Sequence, residues 1–316
     1  MRSDLKLSSQ LVSRLLAVKP LADLARKQAR NMMIRRAESI GVSWTEQARA
    51  LRSRDWSAEV ARVENPGLVY PQYYLKPFHA YERGNLCWEA ATEVEVAALA
   101  VHARIWPDAG AQGDARLRRG YHEIVSAQLA AEPRAVLDMG CSVGMSTFAL
   151  QQTFPRARVT GLDLSPYFLA VASHSARQRR SVIDWVHGTA ECSGLESATF
   201  DLVSIFLVMH ELPGEVSRQV LREAHRLLRP GGHLAIMDMN PRSAIYATMP
   251  PYILTLLKST EPYLDEYFGL DLERAMVDSG FEPPTLSCNT PRHRTLVSSV
   301  SPRVSKERVP DTGLYS

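Results

Sequence analysis

An apolar run that ends in an acid and passes into a turn of small residues is the feature that most constrains this chain. Residues 135–138 read Ala-Val-Leu-Asp, and Gly-Cys-Ser-Val-Gly follows at positions 140–144. A helix-like segment, residues 145–152, comes next. Bounded apolar runs of this length are typical of buried strands, and glycine permits a sharp turn or the close approach of a ligand. The segment therefore predicts a buried parallel strand, a tight loop and the N-terminus of a helix.

A second predicted strand, residues 158–163, also ends in an acid, 25 residues after Asp138. Ligands of open parallel sheets bind at the carboxyl ends of the strands, so Asp138 and Asp163 are expected at one binding site. Two carboxylates there suit a ligand with an amine and ribose hydroxyls, such as S-adenosylmethionine (SAM) or a dinucleotide. The dinucleotide fingerprint Gly-x-Gly-x-x-Gly fails, because its second and third glycines would fall at Ser142 and Met145.

The same residues resemble the first motif of class I SAM-dependent methyltransferases, Asp-x-Gly-x-Gly-x-Gly. Asp138, Gly140 and Gly144 are in place, and Ser142 stands at the middle glycine. The resemblance covers about residues 117–300 and is nearest to the ubiquinone/menaquinone-type (UbiE-like) small-molecule methyltransferases, in a branch found in plants and cyanobacteria. Three further segments resemble the later strands and turns of that family: residues 183–191, 200–213 and 227–238.

Strands that alternate with helices predict an α/β fold with a doubly wound, mostly parallel sheet. The resemblance implies seven strands in a Rossmann-like methyltransferase fold, preceded by a helical N-terminal extension. We divide the chain into four parts: a basic amphipathic arm (1–36), a helical and aromatic extension that covers the substrate (37–116), the SAM-binding methyltransferase domain (117–300) and a loose C-terminal tail (301–316).

The resemblance also implies SAM as the cofactor and gives roles to residues near the strand ends. Asp163 would hold the ribose hydroxyls, and Asp138 would organise the amine of the methionine part. Methyl transfer depends chiefly on alignment, so no metal is expected. The other residues expected to bind SAM are Gly140, Cys141, Ser142 and Gly144 along the methionine part, Thr189, Ala190 and Glu191 around adenine, and Leu164 and Leu207 at neighbouring strand ends.

His210 and Glu211 follow the fourth predicted strand, where this fold opens towards the substrate, and are the candidate catalytic residues. The pKa of a histidine lies near working pH, so His210 could remove a proton, or it could buttress the cofactor loop through a hydrogen bond. The candidates for substrate contact are aromatic residues and one histidine, each of which could equally belong to the core: Tyr81, Trp88, Tyr121, His122 and Tyr252.

Charge and cysteine spacing restrict the partners. Residues 1–36 have a net charge of +7 and the rest −4 of a total of +3, which argues against a nucleic-acid-binding body. The arm could pack on the domain, contact a membrane surface or act in targeting.

The four dispersed cysteines predict free thiols in a reducing compartment. Without a membrane span or secretory segment, the expected location is cytoplasmic or plastidic.

We therefore expect a SAM-dependent methyltransferase that acts on a small hydrophobic or amphipathic acceptor. RNA or protein methylation is the second hypothesis, although the fourth strand lacks the Asn/Asp-Pro-Pro-Tyr/Phe-type motif and is followed by residues 206–209, Phe-Leu-Val-Met. The third is a non-catalytic SAM-binding regulatory module, because Ser142 and Thr189 depart from the family pattern.

Overall fold

The computed structural model describes residues 19–79, 81–106 and 108–302, so residues 1–18 of the basic arm and most of the C-terminal tail lie outside it. Strands and helices alternate from residue 113 onwards. The strands are β1 Ala135–Met139, β2 Arg158–Asp163, β3 Asp184–His187, β4 Phe200–Phe206, β5 Leu228–Met239, β6 Thr285–Cys288 and β7 His293–Ser299. The helices are α1 Lys19–Ser39, α2 Trp44–Arg52, α3 Ser57–Val63, α4 Trp88–His102, α5 Gly113–Ser126, α6 Met145–Thr153, α7 Pro166–Arg179, α8 Gly214–Leu227, α9 Ala244–Ala247, α10 Pro251–Thr260, α11 Leu264–Gly269 and α12 Leu272–Asp278.

The seven strands form one sheet in the order β3-β2-β1-β4-β5-β7-β6. The five strands from β1 to β5 pair in parallel, and β7 is antiparallel to both of its neighbours. This arrangement confirms the predicted doubly wound, mostly parallel sheet. The strand order reverses between β1 and β4, and a crevice for ligands opens at the carboxyl ends of strands at such a point.

Helices cover both faces of the sheet, which explains why the buried strand β1 begins with an apolar run at residues 135–137. On one face, side chains such as Leu137 and Ile205 pack with Leu221 of α8 and Tyr267 of α11. On the other face, Val136 and its neighbours pack against α5 and α6. Helices on both faces therefore hold the carboxyl edge of the sheet. The first residues of the loops that leave this edge are held in place with it.

The N-terminal helices pack around one buried acid, Glu93 of α4, whose side chain is 0% exposed. Arg30 of α1 and Arg52 of α2 both form ion pairs with it, and the Tyr81 hydroxyl donates a hydrogen bond to it at 3.0 Å. In the amphipathic arm, apolar residues recur at positions 21, 24, 25, 29, 32 and 33, so the sequence predicts a buried stripe that includes Met32 and leaves Arg30 off it. The structure differs, since the buried carboxylate draws Arg30 inward and Met32 is 65% exposed.

Glu93→Gln is expected to lower the free energy of unfolding by about 2 kcal/mol, because two guanidinium groups then lose their charged partner. Urea unfolding followed by circular dichroism measures the change. Glu123→Gln on α5 is the matched control, since the side chain of Glu123 is 71% exposed. An equal loss in both variants would contradict the role of Glu93.

Within the residues that the structure describes, no helix combines the length and the apolar character that crossing a membrane requires.

Candidate active site

The loop between β1 and α6 runs through left-handed backbone conformations. Gly140, Ser142 and Gly144 have φ angles of 79°, 51° and 88°. A Cβ atom at Gly140 would lie 2.6 Å from Cγ2 of Val208, and one at Gly144 would lie 2.8 Å from the Trp185 ring. Glycine is therefore required at both positions for space as well as for conformation. Ser142 adopts the conformation that suits the glycine of the family motif, at a cost in backbone strain.

Ser142→Gly is expected to raise the free energy of unfolding by about 1 kcal/mol, because it relieves a left-handed residue that carries a Cβ. It also removes a hydroxyl that is buried and has no hydrogen-bond partner among the described residues. Ser142→Ala separates the two effects, since it removes the hydroxyl and keeps the Cβ. Chemical denaturation of the three proteins without ligand measures the difference, and a less stable glycine variant would contradict the strain.

Asp138 offers one free carboxylate oxygen beside this loop. Oδ2 accepts a hydrogen bond from the Thr147 hydroxyl at 2.6 Å. Oδ1 is buried and has no partner in the described parts of the chain. Burial raises the pKa of Asp138 to about 7, against the lowering effect of the Thr147 hydrogen bond. Because an unsatisfied buried carboxylate is costly, the position suits a cationic donor such as an ammonium group.

Asp163, at the end of β2, holds the loop to the neighbouring strand. Its carboxylate accepts the backbone N–H of Ser142 at 2.7 Å and that of Ser165 at 2.8 Å. Burial raises the pKa of Asp163 to about 6, although both amides favour the charged form. Ser165 caps the helix that follows, since its hydroxyl accepts from Phe168 N at 3.4 Å. Both acids thus lie at the carboxyl edge, as their spacing predicts.

Arg118 of α5 is a buried cation near the start of α6 that the sequence reasoning missed. Asp114 accepts from its Nε at 2.8 Å, and its Nη1 donates to the hydroxyl of Ser146 in the first turn of α6. The guanidinium also lies 4.4 Å from the centre of the Phe206 ring. Its positive charge acts on Asp138. The i,i+4 spacing of Asp114 and Arg118 before the first strand is the sequence pattern that could have found it.

The structure places Tyr121 and His122 in the core, which corrects their assignment to substrate contact. Tyr121 is 1% exposed, and its hydroxyl bonds Ser204 Oγ at 2.8 Å and donates to the Ala235 carbonyl at 3.1 Å. Nδ1 of His122 lies 2.9 Å from the Thr153 hydroxyl. Burial lowers the pKa of His122 to about 4. The Tyr121 hydroxyl and Nδ1 of His122 thus bind polar groups within the fold, while Nε2 of His122 is buried without a partner among the described residues.

Residues 65–79, which we call the cover segment, contact the expected adenine side of the site. The backbone N–H of Asn65 donates to Nδ1 of His187 at 2.9 Å. The Tyr73 hydroxyl donates to both oxygens of Glu191 at 3.0 Å. Nε2 of His187 lies 3.0 Å from the carbonyl of Leu164. The cover segment therefore contacts Glu191, one of the predicted adenine residues, and His187, to which the sequence reasoning gave no role, anchors it.

The remaining residues predicted to bind SAM are held by local bonds. Thr189 Oγ1 donates to the carbonyl of Cys192 at 3.1 Å, and Ala190 is half-buried beside it. Leu207 is left-handed, with a φ of 58°, and its N–H donates to the Met237 carbonyl at 2.8 Å. Cys141 is buried in the loop as a free thiol, and burial raises its pKa.

His210 and Glu211 lie in the 3₁₀ turn after β4, and their surroundings differ. Nδ1 of His210 lies 2.7 Å from Asp238 Oδ1, and its backbone N–H donates to Oδ2 at 3.2 Å. Burial opposes the charge of His210, but Asp238 outweighs it and raises the pKa of His210 to about 10. Burial raises the pKa of Glu211 to about 7, although His79 and His210 lower it. Glu211 is therefore better placed than His210 to accept a proton near neutral pH.

Among the described contacts, none joins the other three substrate candidates to His210 or Glu211. Tyr81 bonds Glu93 among the N-terminal helices. Trp88 stacks on Trp56 with ring centres 5.4 Å apart. Tyr252 lies in the first turn of α10 and is 44% exposed. The rings of Tyr81 and Trp88 are half-buried and pack against the apolar cluster of the extension, where they bury apolar surface.

Comparison with known proteins identifies the class of protein to which this chain belongs. The family described as a methyltransferase domain matches residues 137–236. An uncharacterized methyltransferase of Synechocystis is 33% identical over 163 residues, which cover 51% of this chain and 73% of that protein. A ubiquinone biosynthesis O-methyltransferase of Pseudomonas aeruginosa is 34% identical, over 39% of this chain and 53% of its own length. The chain thus spans about half the length of the Pseudomonas relative. It belongs to the class I SAM-dependent methyltransferases.

Solved structures agree with the fold. A SAM complex of phosphoethanolamine N-methyltransferase 2 from Haemonchus contortus has a TM-score of 0.54 at 13% identity, over 75% of this chain and 61% of that one. A Nostoc punctiforme protein assigned as an O-methyltransferase has a TM-score of 0.53 at 19% identity, over 78% and 67%. SAM is the cofactor, and the residues present fit its amino-acid end. Asp138 Oδ1 is buried without a hydrogen-bond donor among the described residues, and the positive charge of Arg118 lies nearby.

Proposed function

We propose that the chain transfers the methyl group of SAM to a small hydrophobic or amphipathic molecule held under the cover segment. The observation that carries this proposal is the unpartnered, buried Oδ1 of Asp138, with Arg118 close enough for its charge to act on that carboxylate. An acid and a guanidinium side by side match the ammonium and carboxylate of an amino acid. Relatives are named as acting on small molecules, including trans-aconitate 2-methyltransferase of Azoarcus, 39% identical over 101 residues.

Each part of SAM has residues to hold it. Asp138 and Arg118 would bind the amino-acid end, Asp163 the ribose hydroxyls, and the loop around Glu191 the adenine. When bound, SAM supplies a methyl group activated by a positively charged sulfur. The chain contributes position: a fixed loop, a covered site and an acceptor held in line with the methyl carbon.

His210 and Glu211 take different roles in this proposal. Nδ1 of His210 lies 2.7 Å from Asp238 Oδ1, and this contact keeps the proton on His210. His210 therefore acts as a fixed positive charge that orients the turn. Glu211 is the carboxylate that faces the acceptor. The cover over the acceptor comes from residues 65–79 of the extension, and not from Tyr81 or Trp88.

Calorimetric titration with SAM, S-adenosylhomocysteine and NADH tests the cofactor site. We expect micromolar dissociation constants for the two sulfur ligands and no binding of NADH. Incubation of the protein with methyl-labelled SAM and a cell extract, separated into small molecules, RNA and protein, then tests the acceptor. Label in the small-molecule fraction is expected. Label confined to RNA or protein would contradict the proposal, and binding without transfer would indicate a regulatory module.

A further inference from the structure

A histidine bridges two carboxylates on the acceptor side of the site. Nε2 of His79 lies 3.2 Å from Glu261 Oε1 and 4.0 Å from Glu211 Oε1. The side chain of Glu261 is 8% exposed, and its Oε2 is buried without a hydrogen-bond partner among the residues that the structure describes. A buried carboxylate oxygen with no donor is costly, so the cluster is built for a ligand that brings a donor.

Three distant parts of the chain meet in this cluster. Glu211 ends the turn after β4, Glu261 follows α10, and His79 ends the cover segment. The backbone N–H of His79 donates to the carbonyl of Thr260 at 2.9 Å, which fixes the cover segment against α10. Tyr74, half-buried in the cover segment, lies close enough to Glu211 and Asp163 for their charges to act on it. The cluster therefore lies beside the expected ribose end of SAM.

We infer that the acceptor is a protic group without negative charge, a hydroxyl or an amine, and that Glu211 takes its proton while His79 and Glu261 position Glu211. The inference rests on the proposed function and names its substrate class. The charged groups around Glu211 are the acids Asp163, Glu261 and Asp238 and the histidines His79 and His210. Together with Glu211 these groups are four carboxylates and two imidazolium groups. The excess of negative charge repels a carboxylate or phosphate acceptor.

The step conserves atoms and charge. A lone pair on the acceptor oxygen or nitrogen forms the bond to the methyl carbon, and the carbon–sulfur bond breaks with its pair remaining on sulfur. The proton of the acceptor passes to a carboxylate oxygen of Glu211. Burial raises the pKa of Glu211 to about 7, so turnover should rise with pH through that range as the carboxylate ionises. Burial opposes the charge of His79, but Glu261 and Glu211 together raise its pKa. The charged form of His79 is thus favoured, and its charge acts to lower the pKa of Glu211.

The chemistry of the product tests the acceptor class. The wild-type protein is incubated with SAM carrying a ¹³C methyl group and the small-molecule fraction of a cell extract, and the product is assigned by NMR. A methyl group on ether oxygen or on nitrogen is expected, and retention on a cation exchanger at low pH separates the amine from the ether. A methyl ester, which mild base cleaves to methanol, or a methyl group on carbon or sulfur would overturn the inference. No transfer, with SAM bound, would instead contradict the proposed function.

Variants test the roles of Glu211 and His79. Glu211→Gln is expected to lower kcat about 100-fold and to leave the Kd for S-adenosylhomocysteine unchanged. His79→Gln removes a positive charge beside Glu211, so the acidic limb of the pH profile of kcat should move to higher pH. Glu215→Gln, whose side chain is 67% exposed, is the control. Unchanged kcat in Glu211→Gln, or an unmoved limb in His79→Gln, would overturn the inference, since a merely structural histidine does not move the limb.

Discussion

Asp163→Ala is expected to weaken SAM binding about 1000-fold, which corresponds to the loss of roughly 4 kcal/mol from two charge-assisted hydrogen bonds to the ribose. The buried carboxylate already accepts from Ser142 and Ser165 and holds the loop in place. Its removal therefore also loosens the backbone around the methionine part. Both effects act in the same direction, so this variant should lose more affinity than any other single substitution in the site.

Calorimetry with SAM and S-adenosylhomocysteine measures this loss. Asp163→Asn keeps one carbonyl oxygen for the ribose, so its affinity should fall between those of the wild type and Asp163→Ala. Asp184→Ala on β3 is the matched control, because the side chain of Asp184 is 47% exposed and pairs with Arg158. Thermal unfolding of all variants establishes that the fold persists. A loss of less than tenfold in Asp163→Ala would remove the residue from the ribose site.

The sheet and its acidic edge could be predicted because their determinants are local. The bounds of β2 were predicted to the residue, and the helix after it begins where Ser165 caps it and Pro166 follows. A buried strand reads as an apolar run, and a cap depends on residues within one turn. The loop of Gly140 and Gly144 is local only in part: its left-handed turns read as a run of small residues, whereas the close approach of Val208 and Trp185 depends on distant parts of the chain.

The acceptor side could not be predicted because it depends on contacts between distant residues. Tyr73 bonds Glu191 across 118 residues, and His79 meets Glu261 only because the cover segment folds onto α10. The hydrophobic periodicity of the sequence does not indicate such long-range contacts. The sequence does not distinguish an aromatic residue in a core from one that contacts a substrate, which is why Trp88 was among the candidates for substrate contact. Arg118 was overlooked because charged residues on a helix before the first strand normally face solvent.

Arg118→Met is expected to weaken SAM binding roughly 150-fold, or about 3 kcal/mol, since a charge-assisted hydrogen bond from a buried guanidinium to a carboxylate contributes on this scale. Asp114 holds the guanidinium at 2.8 Å, and His102 holds Asp114 at 2.6 Å, so the group is preorganised. Methionine preserves the length of the side chain and its apolar stem. Arg116→Met on the same helix is the control, because Arg116 is 43% exposed and lies over Trp106.

Decarboxylated SAM separates binding of the carboxylate from damage to the fold. The wild-type protein should bind decarboxylated SAM far more weakly than SAM, because Arg118 then loses the carboxylate of the ligand and keeps only Asp114 as its anionic partner. Arg118→Met should bind both ligands with similar affinity, so that the two losses do not add. If the variant still distinguishes the ligands as strongly as the wild type does, the carboxylate binds elsewhere. Its neighbour would then be the N-terminus of α6 alone, whose partial positive charge also attracts an anion.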